Sequence, residues 1–207
     1  MPTSRELLPR RAREAFGLDL SAQELERIDQ FVELLVRWSS RVNLVAASST
    51  QDLIDRHVLD SLALTTLTRS VEAAADLGSG AGFPGIPMAI TAPRTRLHLF
   101  ESRERRVAFL KEAVRVVGLD NVNVWPIRGE SWQTEEKPEL VAVRGLRSDV
   151  AAAAARSMLK IGGTLALMRK QTAGRVEDRN YEEVGQVRYR LPRGDQHEVL
   201  MLRLRSR

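Results

Sequence analysis

The 207-residue chain has no cysteine, which removes disulfides, cysteine metal sites and thiolate nucleophiles in one step. Only three histidines occur, His57, His98 and His197, and none falls in an evident triad with a serine and a carboxylate. Aromatic residues make up 5% of the chain, too few for a platform on which the bases of a single strand would stack. No apolar run approaches membrane-spanning length, and the N-terminal stretch with Arg5, Arg10, Arg11 and Arg13 is not followed by the apolar core of a signal peptide. A cytoplasmic protein without a membrane or metal partner is therefore expected. No lysine lies between Gly78 and Gly85, so the glycine-rich stretch there lacks the Gly-Lys-Ser/Thr ending of a Walker phosphate loop.

What is present suits a folded, basic protein. Apolar residues form 43% of the sequence, enough for a proper core, and 32 Lys and Arg against 27 Asp and Glu leave a net charge of +5. That excess is small, but its sign favours a polyanion, with nucleic acid the leading candidate.

The patterning divides the chain into a helical segment over 1–70 and an α/β domain over 71–207. Ser21 and Glu24 form a capping box, and Leu25, Ile28, Val32 and Leu35 recur at helical spacing through to Trp38, which is expected in the core rather than on a base-stacking surface. A second helix is predicted from about Thr50 through His57 to about Thr68. From Ala73 onward short apolar runs alternate with helical stretches. Strands are predicted at 73–77, 97–100, 122–127, 140–143 and 164–168, with helices at 84–91, 104–117 and 149–159. This alternation implies a parallel sheet covered on both faces. The last two strands, 184–191 and 199–204, are joined by Pro192-Arg193-Gly194-Asp195 and should close the sheet as an antiparallel pair.

The most informative stretch is Asp76-Leu77-Gly78-Ser79-Gly80-Ala81-Gly82-Phe83-Pro84-Gly85, three alternating glycines directly after the first strand. Glycine admits positive φ and lets backbone N–H groups approach a ligand at a strand's carboxyl end. A dinucleotide fingerprint fits poorly. Counted from Gly78, the third position is Phe83, where close helix packing needs Gly or Ala, and Pro84 and Pro87 remove N–H donors that a pyrophosphate would use. S-adenosylmethionine carries no phosphate and needs a tight turn plus a carboxylate for its ribose. Glu101, 23 positions after Gly78 at the end of Leu97-His98-Leu99-Phe100, stands where a second strand presents such an acid; its alternative role is to cap the next helix.

With these pieces in place the chain resembles the small-subunit ribosomal RNA methyltransferase G family, also called glucose-inhibited division protein B. The resemblance runs nearly end to end and rests on Trp38-Ser39-Ser40-Arg41-Val42-Asn43-Leu44, Arg56-His57-Val58-Leu59-Asp60-Ser61-Leu62 and the glycine stretch continued by Ile86-Pro87. It implies a Rossmann-like class I S-adenosylmethionine-dependent methyltransferase sheet ending in an antiparallel strand pair. The implied activity is methyl transfer from S-adenosylmethionine to N7 of a guanine in 16S ribosomal RNA, on the RNA or the small subunit; separately, the protein is expected to be a monomer. It further implies that Gly78 and Phe83 line the cofactor pocket with Gly80, that Gly129 and Glu130 sit beside the adenine, and that Arg144 faces both cofactor and reaction centre. The chain departs from the family pattern at Val143-Arg144-Gly145, where many relatives read Ser-Arg-Ala, and at Met168-Arg169-Lys170, where they read Leu-Lys-Gly.

Attack by a ring nitrogen releases no proton beforehand, so no strong general base is required. Arg144 is expected to donate to guanine O6 or to the cofactor carboxylate, the alternative being an ion pair that closes a sheet edge. Arg147, Arg169 and Lys170 lie at or beyond the carboxyl ends of strands and are the expected phosphate contacts, with Arg10, Arg11 and Arg13 secondary. Arg103, Arg105, Arg106, Lys111 and Arg115 read as a solvated helix face. Asn43, His57 and Asp60 are expected to link the helical segment to the rest. Two other functions fit the same residues: a methyltransferase acting on another RNA or a small molecule, and a non-catalytic RNA-binding assembly factor.

Overall fold

The computed structural model describes residues 4–174 and 176–206. Two helices open the chain, α1 (Ser4–Phe16) and α2 (Ala22–Ser39). The start of α2 is fixed reciprocally: Glu24 N donates to Ser21 Oγ at 3.2 Å and Ser21 N donates to Glu24 Oε2 at 2.7 Å, which satisfies two of the N–H groups a helix start leaves orphaned. Ile28, Phe31, Val32, Leu34 and Leu35 form its buried stripe.

The next helical stretch is not the continuous helix its sequence suggests. It runs as α3 (Thr50–Leu53), a π-helical turn over Ile54–Val58, and α4 (Leu59–Leu62), then breaks and resumes as α5 (Thr65–Arg69). Within the wide turn Leu59 N donates to Ile54 O, five residues back.

Five parallel strands follow: β1 (Ala73–Leu77), β2 (Arg96–Phe100), β3 (Val122–Trp125), β4 (Leu140–Arg144) and β5 (Thr164–Lys170). Between them come α6 (Gly85–Thr91), α7 (Glu104–Val117) and α8 (Ser148–Met158). The chain ends in β6 (Tyr181–Arg190) and β7 (Gln196–Leu204), antiparallel to each other, with β7 also antiparallel to β5. These last strands are longer than their apolar alternation predicts, because polar ends continue the ladder. The sheet order is β3-β2-β1-β4-β5-β7-β6, so the chain reverses direction across the sheet between β1 and β4. Open α/β sheets bind ligands in the crevice at that reversal, beyond the strands' carboxyl ends.

Both faces of the sheet are covered. On one, Phe31, Leu35 and Leu59 of the N-terminal helices share a core with Ile86 of α6, Phe109 of α7 and Ala142 of β4. On the other, Ala151, Ala155 and Met158 of α8 pack on Val141, Leu165 and Leu200. Among the described residues no helix is long and apolar enough to cross a membrane, and no group of three or more histidines and acids is arranged to hold a metal ion.

Candidate active site

The turn after β1 is built from three glycines at positive φ, Gly78 (79°), Gly80 (55°) and Gly82 (87°), a path that β-carbon-bearing residues rarely take. Gly78 N and Ser79 N both donate to Phe100 O, at 3.0 and 2.9 Å, which pins the turn to the end of β2. Beneath it Asp76 is fully buried: its Oδ2 accepts from Gly85 N at 3.0 Å, while Oδ1 has no hydrogen-bond partner. Burial pushes this carboxyl up to about 7, against the opposing bonds from Ser79 and Gly85.

Glu101 closes the turn from the other side. Its Oε2 accepts from Gly80 N at 3.1 Å and stands 3.7 Å from Arg106 Nη1; its Oε1 accepts from Arg103 N at 2.8 Å. Holding the glycine turn and bracing the approach to α7 thus fall to one carboxylate, although Glu101 is not the helix cap: the N-cap is Arg103, with no side-chain capping bond. A carboxylate offers about four lone-pair positions, and two backbone donors occupy two of them. Two remain for the neighbouring hydroxyls of a ribose, which is the fit the cofactor requires. Arg106, expected on a solvated face, instead lies against this acid.

Gly78 and Glu101 face Gly129 and Glu130 across a cleft of about 200 Å³ that also takes in Ser102 and Ile127. Leu146 and Val150, 45% and 50% exposed, form an apolar lip where an aromatic heterocycle would be covered. Gly129 is closely packed: a β-carbon there would sit 2.4 Å from Leu77 Cδ1 and 2.5 Å from Met158 Sδ, so these buried side chains would have to shift. Glu130 is exposed, with Arg128 3.8 Å away. A larger hollow of about 670 Å³ opens beside Glu72, Arg96 and Lys160, but it lies at the strands' amino ends, where open α/β sheets do not bind ligands.

Phe83 and Arg144 lie outside that cleft and meet each other. The guanidinium carbon of Arg144 sits 6.0 Å from the Phe83 ring centroid, and that ring also stacks on His57 at 5.3 Å and meets Phe31 edge-on at 5.2 Å. Arg144 pairs with Asp60, its Nε 2.9 Å from Oδ2, so the ion pair foreseen at a sheet edge instead ties the sheet to the N-terminal helices. Arg144 Nη2 donates to Arg56 O at 3.0 Å and to His57 Nδ1 at 2.8 Å. Burial, reinforced by the Arg144 and Arg56 charges, lowers His57 to about 4.

The expected phosphate contacts separate. Lys170 is exposed at the end of β5. Arg147 is exposed with Asp149 Oδ2 2.6 Å away. The Arg169 side chain is 13% exposed and donates to Glu198 Oε1 at 2.9 Å and Gly174 O at 2.8 Å, so an internal acid already holds part of the guanidinium that a phosphate would use. Arg10, Arg11 and Arg13 pair with Glu14, Asp55 and Asp19. Trp38 packs edge-on to Phe109, ring centroids 5.6 Å apart, but is half-buried at the margin of the core rather than within it. His57 and Asp60 do link the helices to the sheet, whereas Asn43 is exposed.

Comparison with known proteins decides what this arrangement belongs to. The family model for rRNA small subunit methyltransferase G, GidB, matches residues 24–191. The chain belongs to this family. The ribosomal RNA small subunit methyltransferase G of Dichelobacter nodosus is 37% identical over 145 residues, covering 70% of this chain and 68% of the relative. The protein of the same name from Xylella fastidiosa (strain 9a5c) is 37% identical over 160 residues and 74% of each chain. Among solved structures, cofactor-bound Rv0187 from MTB superposes with a TM-score of 0.66 over the whole of both chains at 13% identity. The fold is that of the Rossmann-like methyltransferases, as the terminal antiparallel pair and the family resemblance implied.

Sequence reasoning missed Tyr189 as a site residue and saw His197 only as an isolated histidine. Both reach Asp60, Tyr189 Oη at 2.6 Å and His197 Nδ1 at 2.9 Å. The available signal was polar: an acid at a helix position otherwise surrounded by leucines needs partners, and two polar rings on paired terminal strands are candidates.

Proposed function

We propose that the chain transfers the methyl group of S-adenosylmethionine to N7 of a guanine in 16S ribosomal RNA. The observation that carries this reading is the Glu101 carboxylate, which holds the Gly80 amide while keeping acceptor capacity over a cleft bounded by Gly78 and Gly129. Family membership supports the RNA target. When bound, the cofactor supplies an electrophilic methyl group on a sulfonium.

The chain's own residues then orient and exclude water. Glu101 takes the ribose hydroxyls, Gly78 and Gly80 leave room for the amino-acid arm, and Leu146 and Val150 cover the adenine beside Gly129 and Glu130. Phe83 and Arg144 form the wall between this cleft and the target base. N7 attacks with an in-plane lone pair, so no side chain has to remove a proton first. His57 suits such a site: Arg144 has no acceptor atom, so His57 Nδ1 must accept, and a neutral ring serves as a fixed acceptor rather than a base. Alignment of N7 with the methyl carbon supplies most of the rate. Lys170 and Arg147 are the phosphate contacts of this reading.

The rest of the reading is a monomer working in the cytoplasm, with a helical segment over 1–70 and a catalytic domain over 71–207. The test is incubation with methyl-labelled cofactor and small ribosomal subunits lacking the modification. Label is expected in 16S RNA as 7-methylguanosine. Label found only in protein or small molecules overturns the RNA target, and cofactor and RNA binding without transfer would make the protein an assembly factor instead.

A further inference from the structure

A buried polar knot joins the N-terminal helices to the far end of the sheet. Asp60 is 1% exposed; its Oδ1 accepts from Tyr189 Oη at 2.6 Å and faces His197 Nδ1 at 2.9 Å, while its Oδ2, which receives no well-directed hydrogen bond, forms an ion pair with Arg144 Nε 2.9 Å away. Burial works against ionisation here, but the His197, Arg144 and Tyr189 contacts outweigh it and hold the carboxyl below its ordinary range, so Asp60 is a carboxylate and His197 Nδ1 donates to it. Arg144 Nη2 is occupied by Arg56 O and His57 Nδ1. The remaining nitrogen, Nη1, has no partner among the described residues, although the side chain is only 19% exposed.

Three partners of one guanidinium come from a single helical stretch, and the π turn over Ile54–Val58 is where it widens. That turn carries Arg56 and His57, with Asp60 one turn further on, and wide turns of this kind often accompany functional sites. Apolar residues of similar volume often hold two elements together as well or better, so linkage alone does not call for an ionic knot. What an apolar contact cannot do is fix the plane of a guanidinium.

We propose that Asp60 and His57 are positioning residues that lock Arg144 so its free Nη1 edge meets the carboxylate of S-adenosylmethionine. This rests on the cofactor reading above but not on the RNA target. Arg144 touches the cofactor; Asp60 and His57 act through it.

The test is a cycle of variants of the full chain, read by calorimetric titration with S-adenosylhomocysteine and by thermal melting. R144A is expected to weaken binding by about tenfold to a hundredfold, the range for a lost charge-assisted bond. D60N should lose at least about tenfold alone yet less than about twofold when added to R144A, because its effect passes through the arginine. H57N, whose amide oxygen replaces Nδ1 as acceptor, should stay within about threefold of wild type, whereas H57A should not. Multiplying losses in the D60N/R144A double variant, wild-type affinity in D60N or R144A, or equal losses in H57N and H57A would overturn the proposal. If D60N does not fold, the H57A and R144A cycle makes the same decision. Absence of RNA methylation with these affinities intact would remove the RNA target and leave this inference standing.

Discussion

Replacing Glu101 by glutamine tests how a single carboxylate serves both turn and ligand. The side chain is 7% exposed, and its two oxygens each accept one backbone N–H, from Gly80 and Arg103, with Arg106 Nη1 3.7 Å from Oε2. Glutamine keeps the shape but has one acceptor oxygen, so its NH₂ must face one of those donors. Leaving a buried donor unpaired costs about 1–3 kcal/mol, which should appear as a lower urea midpoint with an unchanged slope. The ligand side loses more selectively. Of the lone-pair positions left for the ribose hydroxyls, at least one disappears and the charge goes with it, a loss of about 1.5–3 kcal/mol, or roughly tenfold to 150-fold in Kd. Titration calorimetry on folded E101Q with S-adenosylhomocysteine reads this directly. Wild-type affinity in a variant that has lost the predicted stability would mean that Glu101 only braces α7, and the assignment of the cleft would fall with it.

Four further substitutions have distinct outcomes. Gly129→Ala forces a β-carbon against Leu77 and Met158 and should cost about 1–3 kcal/mol by chemical denaturation, so stability unchanged within error would contradict the close packing. Asp76→Asn probes the buried acid: because its folded value near 7 exceeds the ordinary 3.8, the native state holds a proton the unfolded chain has released, and stability contributed by this group falls as pH rises from about 4 to 7. The variant lacks that decline, with a ceiling of about 4 kcal/mol, and parallel stability curves for the two proteins would refute it. Lys170→Ala should lower the salt dependence of RNA binding by about one counterion without affecting the melt, whereas Arg169→Ala leaves Glu198, among the described residues, with the more distant Arg188 as its cation and should destabilise by about 3 kcal/mol. Reversed behaviour of this pair would restore Arg169 to the RNA surface.

The sheet and the glycine turn were legible because they follow from local rules. Alternating apolar runs, a capping box at Ser21 and positive-φ glycines constrain their own neighbourhoods, and the offset from Gly78 to Glu101 follows from one strand-helix-strand unit. The π turn was not legible, because its cause is tertiary: residues 50–62 have an ordinary helical sequence, and the wide turn coincides with the docking of Arg56, His57 and Asp60 on an arginine from the fourth strand. The fate of the arginines was equally hidden. Arg144, Arg147 and Arg169 look alike as basic residues at strand ends, and only pairing across the sheet distinguishes the one held by Asp60 and His57, the one beside Asp149 in solvent and the half-buried one against Glu198. Charge counts identify a basic rim, but the free charge on it depends on acids distant in sequence.

The most direct measurement is a crystal structure with S-adenosylhomocysteine bound. Both ribose hydroxyls should lie within hydrogen-bonding distance of the Glu101 oxygens, with the adenine between Gly129 and the Leu146–Val150 lip. A nucleoside seated beside Glu72 and Lys160, or anywhere without contact to Glu101, would contradict the account.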